Sequence, residues 1–344
     1  MFSTFIILLL AVQAPARVEK PAALPALGVG LNLPNASAAA RQAALDAVRR
    51  TGASFFALEV SWSQVEPRPR EYHLDQITRS ARLLRQSGAT LHLILPLVTE
   101  SARDVPADLA STPFDDPRLS LRLGRLLDAL STTLHDVQTL SLGEAADTYF
   151  ADKPDELRAY RRLFEGAVQF LQKRFPGLLV GVTTSAPTES RAPEVAAALH
   201  QRSPVLFYTY CPLVPGALFI QRPPDSVEKD WSALLKAAAG RPIAFPGVSY
   251  SSSTEVGSSP QKQADFVRRF RRFLAKSDGK ELLFARYLWL RDPGPDELPE
   301  IESGSSVGER RRRALLGGCG LQDKDGHPKA AWAEWLRQSA GVKR

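Results

Sequence analysis

Eight short apolar runs, rich in β-branched and aromatic residues, recur along the chain, and a longer stretch separates each from the next. They fall at 27–33, 55–60, 90–95, 139–142, 179–183, 205–210, 243–245 and 282–288. Most are apolar throughout rather than alternating, the pattern of parallel strands covered on both faces. Several intervening stretches have helical periodicity. In 155–175, Leu157, Tyr160, Leu163, Phe164, Ala167, Val168 and Leu171 share one face, and Pro176-Gly177 stops the helix. In 261–276, Phe266, Phe270 and Phe273 oppose a face of arginines, and 75–87 opens near Asp75 and closes before Gly88. Repeated strand–helix alternation without a glycine-rich dinucleotide loop predicts an α/β fold of the (β/α)8 TIM-barrel type rather than a doubly wound sheet. Gly28-Val29-Gly30 is too slight a signal for a nucleotide site. Segments 301–317 and 329–340 are expected to be the last barrel helix and a C-terminal helix. No linker rich in Pro, Gly or Ser divides the chain, so one domain is expected over 24–340, with 250–260 as a rim loop.

Residues 1–16 read as a signal segment. The apolar run from Phe5 to Val12 is short for a bilayer, and Ala14-Pro15-Ala16 fits a small-x-small cleavage site. Export to the periplasm or the exterior is expected, with an uncleaved N-terminal anchor as the alternative. No other stretch is long and apolar enough to cross a membrane. The net charge of +7 is spread mainly over helical faces, apart from the run Arg310-Arg311-Arg312-Arg313. That run has no nucleic-acid motif beside it, so a solvated helix face is expected and no nucleic-acid partner. Cys211 and Cys319 are the two cysteines, and their pairing is left open. The five histidines are scattered without ligand spacing, so neither metal nor cofactor is expected.

In a barrel of this kind chemistry lies on the loops after the C-terminal strand ends. The second run is followed by Ser61-Trp62-Ser63-Gln64-Val65-Glu66-Pro67, then Tyr72 and Leu74-Asp75. The eighth gives Leu288-Trp289-Leu290-Arg291-Asp292, and the chain closes on Gly320-Leu321 and Asp325-Gly326-His327-Pro328-Lys329-Ala330-Ala331-Trp332. In this order the segments resemble the retaining glycoside hydrolase barrels over nearly the whole mature chain. The resemblance implies a carbohydrate ligand and two carboxylates, an acid/base after the fourth strand and a nucleophile ending the seventh, about 5 to 5.5 Å apart.

This sequence departs from that pattern at both places. Leu142-Gly143-Glu144-Ala145 resembles a Leu-Gly-Asn-Glu stretch, with Glu144 on the Asn and Ala145 on the acid/base. Pro242 to Ser252 resembles a Pro-x-x-x-x-Glu-x-Gly-Tyr-x-Ser stretch, with Gly247 on the nucleophile. Neither residue can transfer a proton or attack an anomeric carbon.

Glu144 is the remaining catalytic candidate. Asp147, Glu189, Glu255 and Asp292 are further rim acids, whereas Glu59 is expected to be structural or paired with a basic residue such as Arg286. Trp62, Tyr210, Tyr250 and Trp289 are candidate sugar-binding aromatics, with packing in the barrel core as the alternative. Tyr210 lies in Thr209-Tyr210-Cys211-Pro212-Leu213, similar to the family's sixth-strand stretch. His92, inside an apolar strand, reads as a core histidine. Three functions stay open: a carbohydrate-binding or regulatory pseudo-glycosidase, an active glycosidase with relocated carboxylates, and an interaction protein with a protein partner on its basic surface.

Overall fold

The computed structural model describes residues 24–31, 38–298 and 305–340. The signal segment lies outside them. The strands are β1 (Ala26–Val29), β2 (Phe55–Glu59), β3 (Thr90–Ile94), β4 (Thr139–Ser141), β5 (Leu179–Gly181), β6 (Thr183–Ser185), β7 (Leu206–Tyr210), β8 (Ile243–Val248) and β9 (Leu282–Tyr287). All named strand pairs are parallel, in the orders β2-β3-β4-β5 and β6-β7-β8-β9-β1. β5 and β6 are two halves of the expected fifth strand, interrupted at buried Val182, one half facing β4 and the other β7. Where β1 meets β2, Ser54 N donates to Leu27 O at 2.9 Å. The chain is therefore an α/β barrel of the (β/α)8 type. β8 pairs irregularly with both neighbours, and Pro246, which has no N–H to give a ladder, sits inside it.

The barrel interior is plugged by rings. Phe55 stacks on Phe284 with centroids 4.1 Å apart, and His92 lies 4.9 Å from Phe207 and 5.2 Å from Phe284. Val205 and Ala244 complete this buried cluster. His92 is the core histidine its strand suggested: Nδ1 shares a 2.8 Å hydrogen bond with Thr139 Oγ1, while buried Nε2 has no partner. A larger core fills the layer between barrel and helices, including Pro154–Arg174 and Pro260–Lys276.

Burial also sets an acid limit on stability. It depresses His92 to about 3 and His200 to about 4. Both folded values lie below the unfolded one, so the unfolded chain binds more protons below pH 6.5. The stability these groups contribute is complete above that pH and is lost as pH falls through the folded values. Urea denaturation should show stability dropping between pH 6.5 and 4 by up to about 1.4 kcal/mol per pH unit for each histidine. His92→Phe should flatten that slope even where it lowers the plateau; an unchanged slope would contradict the assignment.

The C-terminal part differs from expectation. Ala330–Ala340 packs along Pro260–Lys276 and so occupies the outer-helix position after β9. Val307–Leu316 instead lies at the rim. Ser251 Oγ donates to Ala314 O at 3.3 Å and Ser252 N to Gly318 O at 2.9 Å, both from the loop after β8. On its other side Arg312 pairs with Glu100, after β3, at 2.9 Å. β3 and β8 stand on opposite sides of the strand order, so this helix reaches across the barrel's C-terminal end. The sequence predicts a helix in 301–317, but on the barrel's outside.

Candidate functional site

Side chains alternate along a strand. With Phe55, Phe207 and Phe284 pointing inward, Glu59, Thr209 and Arg286 point inward too, nearer the C-terminal end. Ser141 Oγ and Thr183 Oγ1, 2.8 Å apart, and Glu144 just past β4 lie at the same level. The floor of the mouth therefore carries two carboxylates and one guanidinium.

Arg286 Nε donates to Pro246 O. Glu59 and Glu144 interact with Arg286 through space, without a direct ion pair at 4.0 Å or less. Glu59 is exposed and Glu144 half-buried. Burial first, and the charge of Glu59 second, raise the Glu144 carboxyl above the usual range, while Arg286 opposes the shift. Burial makes the Arg286 guanidinium easier to deprotonate, against the pull of the two acids.

Gly247 pairs with Thr209 at this level, and Ala145 follows Glu144. A Cβ built on Gly247 would lie 3.3 Å from Leu288 Cδ1 and 3.8 Å from Thr209 Cγ2, so position 247 faces the mouth's lining. Ala145 has a left-handed backbone, φ 47°, at the start of Ala146–Phe150.

The four aromatic candidates do not form one platform. Trp62 is buried, and its Nε1 donates to Glu66 Oε2 at 2.6 Å. Tyr210 follows Thr209 and so points outward; its ring stacks on Phe266, and its hydroxyl donates to Asp230 Oδ2 at 2.8 Å. Tyr250 is stacked 4.7 Å from Phe266 and donates to Arg222 O at 2.7 Å. These three rings are spent on packing in the structure described. Trp289 keeps part of its surface and packs against the cluster of Val256, Leu315 and Cys319 beneath the rim helix. Strand alternation from Phe207 was a signal that Tyr210 would face the helices.

The other rim acids are largely engaged. Asp147 accepts from Ser185 N at 2.9 Å and Ser190 Oγ at 2.7 Å. Glu189 accepts from Cys211 N at 2.9 Å, and burial pushes its carboxyl up to about 8. Asp292 is held by Lys329 at 2.6 Å and Gly320 N at 2.7 Å. Glu255 is exposed. Cys211 and Cys319 are free thiols. Burial raises both, Cys319 to about 12, and Cys319 Sγ donates to Leu315 O at 3.0 Å.

Asp323, Asp325 and His327 bring ligand atoms within 4.8 Å of one another. Asp323 is already used by its own turn, accepting from Asp325 N at 2.9 Å and His327 N at 2.8 Å. Among the described residues no helix is long and apolar enough to cross a membrane.

Comparison with solved structures places the fold in a known class. A glycoside hydrolase of group GH5_18 from Streptomyces cattleya, in complex with GlcNAc, superposes with a TM-score of 0.72 at 15% identity, over 94% of this chain and 82% of that one. Xylanase 10B from Thermotoga maritima gives 0.61 at 12% identity, over 92% and 94%. A family 39 glycoside hydrolase from Bacteroides cellulosilyticus WH2 gives 0.60 at 13%, over 93% and 64%. No family model and no curated protein matches the sequence. The protein thus has the (β/α)8 fold of the glycoside hydrolases. At these identities the likeness is one of fold, consistent with the resemblance carried by the sequence motifs.

Proposed function

We propose that this chain is an exported, glycoside hydrolase-like protein that binds carbohydrate at the mouth of one barrel spanning 24–340, without the retaining chemistry of the family. The observation that carries this reading is at position 247. It faces the mouth between Thr209 and Leu288 without a side chain, and the motif resemblance implies a nucleophile at that position. Ala145, at the acid/base position, offers only a methyl group. A barrel that keeps a polar floor of Glu59, Glu144 and Arg286 still has donors and acceptors for sugar hydroxyls. The fold likeness to glycoside hydrolases supports carbohydrate as the ligand class. Trp289 is the aromatic with surface left for stacking on a sugar ring.

One observation favours a second reading, in which the protein hydrolyses glycans. Glu144 is half-buried, and burial first, with the charge of Glu59 second, raises its carboxyl, as suits a proton donor. On that reading Glu144 protonates the leaving oxygen and Glu59 takes the proton of an attacking water.

Calorimetry on a panel of neutral and acidic oligosaccharides tests the first reading. Saturable binding is expected for at least one of them, weakened about tenfold by Trp289→Ala through loss of an aromatic face. Binding to none of the panel would reject it.

A further inference from the structure

The chain's two cysteines, far apart in sequence, are brought to one place by the fold. Cys211 is the first residue after β7, and Cys319 follows the rim helix Val307–Leu316. Cys319 is a buried member of the small apolar cluster of Val256 and Leu315, and half-buried Cys211 packs against that cluster. Cys211 Sγ accepts from Gln221 Nε2 at 3.9 Å, and the oxygen of the same amide accepts from Ser251 N at 3.0 Å, in the loop after β8. That loop also holds the residue before Cys319. Ser252 N donates to Gly318 O at 2.9 Å, and a Cβ on Gly318 would lie 2.3 Å from Ser251 Oγ. Gln221 and Ser251 thus connect the surroundings of one thiol to the backbone beside the other. The Cys319 thiol is near enough to help raise that of Cys211. Among the described residues neither cysteine belongs to a group with metal-ligand spacing.

We propose that Cys211 and Cys319 are a disulfide site, and that their bond is a latch fastening the rim helix across the C-terminal end of the barrel. The inference is independent of the carbohydrate reading. The helix meets the loop after β3 through Arg312 and Glu100, a pair exposed on both sides, and such a pair holds loosely. A covalent link just past the helix's C-terminal end holds whatever the salt concentration. The oxidant is a small disulfide such as glutathione disulfide, of the class that the proposed export would make available. Cys211, the less buried thiol, loses its proton and attacks the S–S bond of the oxidant, forming a mixed disulfide and releasing one glutathione thiolate. Cys319, deprotonated in turn, gives up its bond to Leu315 O, attacks the Cys211 sulfur and displaces the second glutathione. Two protons and two electrons leave the protein, and the oxidant becomes two thiols. Burial keeps both cysteines protonated and covered, so exchange in the folded chain is slow and waits for the rim helix to lift.

The test starts from the full chain, unfolded in urea with both thiols reduced, then refolded in equimolar oxidised and reduced glutathione so that burial does not limit access. After alkylation, non-reducing peptide mass analysis should find most of the chain with one internal link between the peptides of Cys211 and Cys319, lighter by two hydrogens. Incubating the folded chain in the same buffer should reach the same product about tenfold more slowly, because opening limits access. The oxidised chain should melt about 5 °C above the reduced one, as expected for closing a loop of about 100 residues. Amide exchange over 307–319 should slow about tenfold on oxidation. Cys211→Ala and Cys319→Ala should each melt at one temperature in oxidising and reducing buffer. Recovery of two free thiols from both routes overturns the proposal, as does a product carrying glutathione or links between chains. A bond that forms without raising the melt or slowing exchange over 307–319 overturns the latch.

Discussion

Glu66→Ala should cost about 3–5 kcal/mol of stability, because it removes the buried one of the two carboxylates that hold the Arg122 guanidinium. Glu66 belongs to the Trp-Ser-Gln-Val-Glu stretch after β2, a segment that resembles part of the family's signature. Its side chain is fully buried, and it accepts from Trp62 Nε1 at 2.6 Å, Arg70 N at 2.8 Å and Arg122 Nε at 2.7 Å. Arg122 comes from Pro117–Ala129 and also meets Asp108 at 2.7 Å, on a half-exposed carboxylate. One carboxylate thus ties the second βα loop to a helix fifty-six residues further on. Truncating it strands Arg122 Nε, Trp62 Nε1 and Arg70 N together. Glu66→Gln keeps an acceptor and should cost less. Urea denaturation of both variants reads the difference, and a loss under about 1 kcal/mol in Glu66→Ala would mean that the pair is only a surface-like contact.

Gly30→Ala should be at least as damaging. A Cβ at position 30 would lie 1.9 Å from Leu288 O and 3.0 Å from its carbonyl carbon. The obstacle is backbone, so no side chain can swing aside. The approach is fixed from both directions, by Gly30 N to Tyr287 O at 2.9 Å and Leu290 N to Gly30 O at 2.8 Å. An added methyl must therefore part the chain after β1 from the chain after β9, at a cost of about 3 kcal/mol or more. Gly28 has a similar constraint, with Phe55 O at 2.4 Å from its Cβ site. Gly124, inside Pro117–Ala129 with nothing near its Cβ site, is the contrasting case. Gly124→Ala should stabilise by about 0.5–1 kcal/mol through helix propensity. Thermal melts of the three alanine variants should rank in that order, and a Gly30→Ala melt equal to wild type would contradict the close approach.

These two predictions show where the sequence was legible. The eight runs were readable because continuous apolar stretches follow from burial on both faces, and the strands begin and end near the expected residues. The break at Val182 was not visible, since it depends on which neighbour each half pairs with. The seventh run ends at 245 in the sequence, before Pro246, whereas β8 continues to Val248 with irregular pairing. Gly28-Val29-Gly30 looked like a weak nucleotide motif; the structure shows that both glycines serve close packing of strands.

The candidate site was legible in part. Glu144 could be read as a residue just past a strand end, and the structure has it there. Which aromatic ring faces which way depends on strand phase, and Tyr210 and Tyr250 turn towards Phe266. The rim helix was the least readable element. Whether an amphipathic helix covers the outside of a barrel or its end is decided by loop lengths and by partners such as Glu100 and Ser251, far away in sequence.

The most direct test of a barrel that binds glycans without cleaving them is incubation of the purified protein with each oligosaccharide it binds, followed by chromatographic analysis of the sugar. The account predicts that the sugar is recovered intact, with no reducing ends above the protein-free control, in the wild type and in Glu144→Gln alike. Release of reducing ends by the wild type, lost in Glu144→Gln and Glu59→Gln, would contradict it and establish the relocated pair as a working acid and base.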